Sequence, residues 1–422
     1  MVKWSMSQCQ SAVLDSQGMH ERQDSVRVTV MVALLICALL MSPLAMSSSS
    51  GNSAPQIRKT VLPLVLDIQT ALNPEATEEN STPAIDISHA EQLIQTLLER
   101  DLTNYEQALA HQFAATLALE KKDYQGAFDA FHNAWLLEVY AVPQQLQIQR
   151  TLAQLAMQLG KWQTSVDFYV PWIEAINGGE FETKVSAQDY VYVAQSYYRL
   201  ETWPDTVRYV DNAIGASQNP IPESWYRMKL TGLLNQYEPA KQYEPQSQNE
   251  QAKQAHSQAH SKHISKTVKE SLRRQAVDVS KILVREYPST LYWRQLALLH
   301  QQGDQPGSKD QNERKALSAL HSAYVAGFLT AEQDLMWMIT LMIQQGNYYQ
   351  AGTLLEMSLN EQRIAGSESH LKTLADTWIM AKDYARAETT LTALVKLNDE
   401  AQYRKTLSDV QAIIKAQVKA ES

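Results

Sequence analysis

Cysteine is almost missing from this chain: Cys9 and Cys37 are the only two in 422 residues, and both fall in the N-terminal leader. A chain cut after that leader would have no disulfide, no thiolate nucleophile and no cysteine-bound metal. Glycine is scarce too, at 14 residues, while Ala, Leu and Gln are plentiful, which favours helix over sheet. Positive charge is not in excess. The 37 Lys and Arg are outnumbered by 46 Asp and Glu, and no basic stripe stands out, so nucleic acid is not an expected partner. No Ser-His-Asp order, Gly-rich phosphate loop or framed carboxylate pair is found. Neither an enzyme nor a bound cofactor is expected.

The stretch His111–Ala134 (HQFAATLALEKKDYQGAFDAFHNA) organises what is there. Phe113, Ala114, Leu117 and Ala118 fall at helical spacing, as do Ala127, Phe128, Phe131 and Ala134, with Lys121–Tyr124 between the two sets. Ala115, Ala118, Ala127 and Ala134 would let two antiparallel helices approach closely, and Phe131 fills the space beside them. An aromatic in the turn followed three positions later by a small residue then recurs at Trp162/Ser165, Trp203/Thr206, Tyr348/Ala351 and Tyr384/Ala387. The intervals 124→162, 162→203 and 348→384 are 38, 41 and 36 residues, a period that marks a helical solenoid.

These residues resemble the tetratricopeptide repeat (TPR) pattern. Its A-x3-F half corresponds to Ala127/Phe131, Ser165/Tyr169 and Ala387/Leu391. Its other half corresponds to Leu152-Ala153-x2-Ala156, Val193-Ala194-x2-Tyr197 and Leu374-Ala375-x2-Trp378, with Ala where the pattern has Gly. The expected fold is all-α, a TPR-like α-α superhelix: a right-handed solenoid of about seven helical hairpins plus a C-terminal capping helix.

Residues Val28–Met46 form an uncharged apolar run after Arg27 and end in small residues, which reads as a secretory signal peptide over 1–46, with Met19 as an alternative start. An uncleaved signal anchor is the other reading, since the run is just long enough to span a bilayer. Either places the bulk of the chain outside the cytoplasm: periplasmic, or anchored in the inner membrane and facing the periplasm. Residues 47–85 read as a spacer, within which Val61–Leu72 is apolar enough for a strand or short helix. The solenoid is expected over 86–422, with Asp86 or Ser88 capping its first helix.

The hairpins are expected at about 108–139, 144–175, 187–217, 223–287, 291–325, 332–359 and 368–397, and a last helix at 400–417. Pro171 should kink the second helix of the second hairpin. The fourth hairpin is interrupted over 237–269 by a Gln/His-rich, aliphatic-poor segment that reads as an unpacked insertion, so that its second helix starts near Ala276. A shorter insertion, Gln305–Asn312, falls at the same place in the fifth. His256, His260 and His263 could share one helical face, but no carboxylate stands in a fixed frame beside them and the segment's composition speaks against metal. The tryptophans read as packing residues.

In TPR proteins the first helix of each hairpin lines the concave groove. Carried onto these hairpins, that arrangement puts Gln147, Arg150, Gln154, Gln195, Tyr198, Arg199 and Arg294 on the inner face as candidate binding residues. Arg and Tyr are partner-anchoring types, and Gln offers donors and acceptors to an extended peptide.

A finer resemblance covers roughly Asp101 to Leu397. The runs KKDYQGAFDAFHNAW, DYVYVAQSYYRL, ESWYRMKL, ILVREYPSTLYWRQLALLH and AYVAGFLTAEQDLMWMITLMIQQGNYYQAGTLLE look like the secreted TPR proteins associated with TonB–ExbB–ExbD energy-transduction systems of Gram-negative bacteria. The long insertion and the extended leader depart from that family. The resemblance implies a periplasmic binding scaffold with a protein partner, TonB-like or ExbB-like, serving nutrient uptake. Membrane contact would come only through an uncleaved leader. The alternative is a scaffold for outer-membrane, pilus or cell-wall assembly.

Overall fold

The computed structural model describes residues 57–74, 85–237, 265–303 and 309–421. The leader, residues 47–55, most of the Gln/His-rich segment and its three histidines lie outside the described residues. Among the described residues there are seventeen helices and no strand, and no helix is long and apolar enough to cross a membrane. The fold is all-α and TPR-like. The chain divides into two compact units, and the division falls within the helix Glu223–Tyr237.

The N-terminal unit begins with α1 (Leu62–Leu72) and α2 (Ile87–Leu98). The apolar stretch left open as strand or helix is thus a helix, entered at a proline in its first turn and burying Leu64, Val65, Ile68 and Leu72. Asp86, rather than Ser88, caps α2 by accepting the His89 amide. Both helices pack with Phe113 and Leu117 of α3 (Asn104–Glu120). Three hairpins follow: α3 with α4 (Tyr124–Leu136), α5 (Val142–Gln158) with α6 (Trp162–Gly178), and α7 (Ala187–Arg199) with α8 (Trp203–Ala216). Ala108, Ala115, Ala127 and Ala134 have no exposed surface, so the α3–α4 helices meet through small residues around buried Phe131. Helix α6 runs through Pro171 without ending.

Helix α9 (Glu223–Tyr237) leads to the C-terminal unit, which holds α10 (Lys266–Glu286). Helix α10 starts ten residues before the expected Ala276, where the Ser265 hydroxyl accepts the Val268 amide. The tail of the Gln/His-rich segment is therefore helical. Its Lys- and Arg-rich sequence hides a buried stripe of Leu272, Ala276, Val279 and Leu283. Hairpins follow from α11 (Thr290–Gln301) with α12 (Lys309–Val325), α13 (Glu332–Gln344) with α14 (Tyr348–Asn360), and α15 (Glu368–Met380) with α16 (Tyr384–Leu397). Helix α12 takes in the end of the expected 305–312 insertion, because buried Asn312 turns inward to donate to the Gly303 carbonyl at 2.8 Å. The last helix, α17 (Ala401–Glu421), packs on α16.

Five of these hairpins turn in the same way. The second residue after the first helix, just past its C-cap, takes positive φ at Lys122, Gly160, Glu201, Gly346 and Lys382. The next amide then donates five residues back, to the carbonyls of Ala118, Ala156, Tyr197, Met342 and Trp378, at 2.8–3.0 Å. This Schellman closure satisfies helix-end carbonyls and delivers the aromatic Tyr124, Trp162, Trp203, Tyr348 or Tyr384 as first residue of the second helix. One turn of helix later, Ala127, Ser165, Thr206, Ala351 and Ala387 are each fully buried. The aromatic-plus-small pattern in the sequence is the entry to the second helix.

Only two of the five left-handed positions are glycine. Lys382, exposed at φ +61°, keeps a side chain in a conformation that disfavours one. Lys382→Gly is expected to stabilise the chain by about 0.5–1 kcal/mol, read as a raised urea midpoint at unchanged slope. A lowered midpoint would show that the lysine side chain contributes more than its backbone strain costs.

Candidate functional site

The seven candidate residues divide into two groups once their surroundings are traced. The first begins at the start of α7. Ser186 and Asp189 form a capping box there: the Ser186 hydroxyl accepts the Asp189 amide, while the Asp189 carboxylate accepts the Ser186 amide at 3.0 Å and hydroxyl at 2.6 Å. The same carboxylate, in a residue 1% exposed, also takes Nε and Nη2 of Arg150 at 2.8 and 2.7 Å. The Tyr169 hydroxyl donates to it at 3.1 Å and accepts in turn from Gln154 Nε2 at 3.2 Å. Arg150 lies 5.2 Å from the centroid of the Trp172 ring, which it covers. Burial, with the Asp189 charge, pushes the Tyr169 phenol well above its ordinary value, so it stays a donor.

Two of the candidates thus lie within this network. Gln154 is 3% exposed and sits inside the network, out of reach of a partner. Arg150 spends its guanidinium on α7, holding the second hairpin to the third. Arg294 repeats the arrangement in the C-terminal unit: Nε donates to Asp334 Oδ1 at 2.7 Å, and Nη2 pairs with Oδ2. Asp334, like Asp189, is the third residue of its helix and 1% exposed. A related contact ties residue 58 to α3, where Arg58 meets the Glu106 carboxylate through its backbone amide at 2.8 Å and Nε at 2.9 Å. Burial works to raise the Glu106 carboxyl, but hydrogen bonds from Arg58 and the Thr103 amide outweigh it and hold it at about 2. With its folded value depressed, this contribution is complete above about 4.5 and lost as pH falls toward 2.

The second group stays accessible. Gln147 of α5 and Gln195 and Tyr198 of α7 are half-buried, and Arg199 is exposed. Arg199 lies over the Trp162 ring at 5.6 Å, and Tyr198 meets Trp203 edge-on at 5.5 Å. These four come from the first helices of adjacent hairpins in the N-terminal unit. They offer amides, a phenol and a guanidinium beside aromatic faces, which suits recognition of a polypeptide.

Sequence reasoning missed Asp189, Asp334 and Glu106, and read Tyr169 only as a repeat packing position. Two signals were available: Ser186-x-x-Asp189 and Thr103-x-x-Glu106 are capping-box spacings that put a carboxylate at the third helical position. Among the described residues no group of three His, Cys, Asp or Glu could hold a metal ion. The C-terminal unit carries two open grooves, of about 600 and 430 Å³. None of the seven candidates lines either one. In the larger, Arg314 is already held by Asp310 at 2.7 Å and Gln345 at 3.0 Å.

His300, at the end of α11, is half-buried. Burial, reinforced by Lys281, Lys315 and Arg273, lowers its imidazole to about 4. The unfolded chain binds a proton there near 6.5, so stability is complete above 6.5 and declines as pH falls toward 4. His300→Gln is expected to remove about 2 kcal/mol of that decline, after allowing for partial exposure. Urea unfolding of both forms at pH 7.5 and 4.5 measures the difference; parallel losses would reject the assignment.

No protein-family model matches the chain, and no curated protein matches it. Among solved structures it is similar to a tetratricopeptide repeat protein from Parabacteroides merdae, at 10% identity and a TM-score of 0.32, over 76% of this chain and 99% of that one. It is also similar to the C-terminal part of a TPR repeat-containing protein from Cytophaga hutchinsonii, at 11% identity and 0.33, over 69% and 98%. A third is the TPR2AB-domain:pHSP90 complex of yeast Sti1, at 13% identity and 0.30, over 65% and 98%. Five Schellman turns with small residues buried behind them give the fold its TPR-like character.

Proposed function

We propose that the chain is a non-enzymatic scaffold that binds a protein or peptide partner through the first helices of its second and third hairpins. The observation that carries this is the accessible set Gln147, Gln195, Tyr198 and Arg199 on α5 and α7, two helices fixed to each other by Arg150 and Asp189. A face held in register by a buried ion pair is preorganised, so ordering it costs little when a partner binds. The finer part of the proposal is a periplasmic location, reached through the leader, and an accessory role beside a TonB-type nutrient-uptake system. Support for that part is the resemblance carried by ESWYRMKL, YPSTLYW and AGFLTAEQD, together with the apolar run 28–46.

The test is photo-crosslinking in intact envelopes, with the reactive group at Gln147 or Gln195 of the full-length chain. Enrichment of TonB- or ExbB-like proteins at these positions, and not from a reactive group on exposed Gln163 of α6, supports both parts. Crosslinks to outer-membrane, pilus or cell-wall machinery would keep the binding face and overturn the uptake role. Equal labelling from both faces would overturn the binding face itself.

A further inference from the structure

Two junctions between neighbouring hairpins carry the same polar device. Arg150 of α5 reaches Asp189 of α7, and Arg294 of α11 reaches Asp334 of α13. Each carboxylate is the third residue of its helix and 1% exposed, and each arginine lies on the first helix of the preceding hairpin, 39 or 40 residues upstream. Apolar packing already joins the second and third hairpins, through Ala153, Tyr169, Ile173, Tyr192 and Val193 in one cluster. Packing of that kind weakens by degrees as surfaces slide or part. A buried carboxylate adds a steeper cost: losing its arginine removes the counter-charge where no solvent replaces it.

Asp189 has a second tie, because it also holds the Ser186 amide and hydroxyl at the start of its own helix. The geometry points to these aspartates as couplers that make hairpins two and three, and hairpins five and six, open as pairs. In a repeat array, stability is the sum of what each repeat holds alone and what neighbours add at their interface. The arginine–aspartate contact belongs to the interface part. It converts two adjacent hairpins into one cooperative block, because the first turn of α7 and the seat of Arg150 depend on a single group.

Amide hydrogen exchange on the full-length chain tests this, with protection read separately over α5–α6 and α7–α8. Arg150→Met and Asp189→Asn are each expected to lower protection at least tenfold in both hairpins, and the double variant no further than the worse single one. Ser186→Ala, which removes the cap hydroxyl and leaves the ion pair, should affect only the first turn of α7. A loss in Asp189→Asn confined to that turn, with α5–α6 protected as before, would reduce the aspartate to a local cap and overturn the coupling. Should these variants fail to fold, Arg294→Lys and Arg294→Met give the same answer in the other unit. Joint loss over α11–α14 in the methionine form, partly restored by lysine, supports the proposal; loss limited to α13 in both forms overturns it.

Discussion

Asp334→Ala is expected to lower the unfolding free energy by about 3 kcal/mol, one of the two largest single-site effects anticipated in the chain. The carboxylate is 1% exposed, and removing it leaves the Arg294 guanidinium, 19% exposed in its side chain, facing a gap in the α11–α13 junction. Breaking one side of a buried pair costs 3–5 kcal/mol when the remaining charge is shut off from water. The residual exposure of Arg294 puts the expectation at the lower end. Replacing both partners at once, as Arg294→Met with Asp334→Leu, should recover most of the loss, because neither charge then needs desolvating. Chemical unfolding of the three forms decides it. A double variant no better than Asp334→Ala would mean that shape, rather than charge, holds the junction.

The second large effect centres on Trp378. Its side chain is fully buried, with the Tyr349 ring 5.8 Å away and the Arg386 guanidinium 4.7 Å from its centroid. Among the described residues its indole Nε1 has no hydrogen-bond partner, so its value to the fold is packing rather than a hydrogen bond. Trp378→Ala is expected to cost about 3–5 kcal/mol through the cavity it leaves. The ring seats itself against Gly352 of α14, where an added Cβ would lie 2.9 Å from two ring atoms. Gly352→Ala should therefore cost about 1–3 kcal/mol by overpacking, even though alanine is the better helix former. Joining Gly352→Ala to Trp378→Leu should cost less than the sum of the two, because the smaller side chain makes room. Strict additivity in thermal melts would show that the glycine is kept for another reason.

Much of the fold was legible in the sequence, for a physical reason. The hairpin turn recurs with one geometry at five places, each followed by an aromatic at the start of the second helix and a buried small residue one turn later. Tyr124 with Ala127 and Tyr384 with Ala387 therefore announce themselves. The start of α10 did not, because KTVKESLRR surrounds its buried Leu272 with charge and lowers the local hydropathy.

The candidate site was legible in outline only. Helical spacing says which face a residue occupies, and it placed Arg150 and Arg294 correctly on first helices. It does not say whether a carboxylate from the next hairpin meets them there. That depends on turn and loop lengths adding to 39 or 40 residues, which periodicity does not measure. The capping-box spacing at Ser186 marks one of those carboxylates.

The three buried carboxylate–arginine ties close loops of 48, 39 and 40 residues, short against a chain of 422. Loop closure over such spans carries a modest entropic cost, and proteins built from contacts this local fold quickly. Each tie can therefore form as soon as the next helix has emerged, without waiting for the C-terminus. A chain threaded N-terminus first through a narrow channel would gather structure hairpin by hairpin on the far side, and each locked pair would oppose its sliding back.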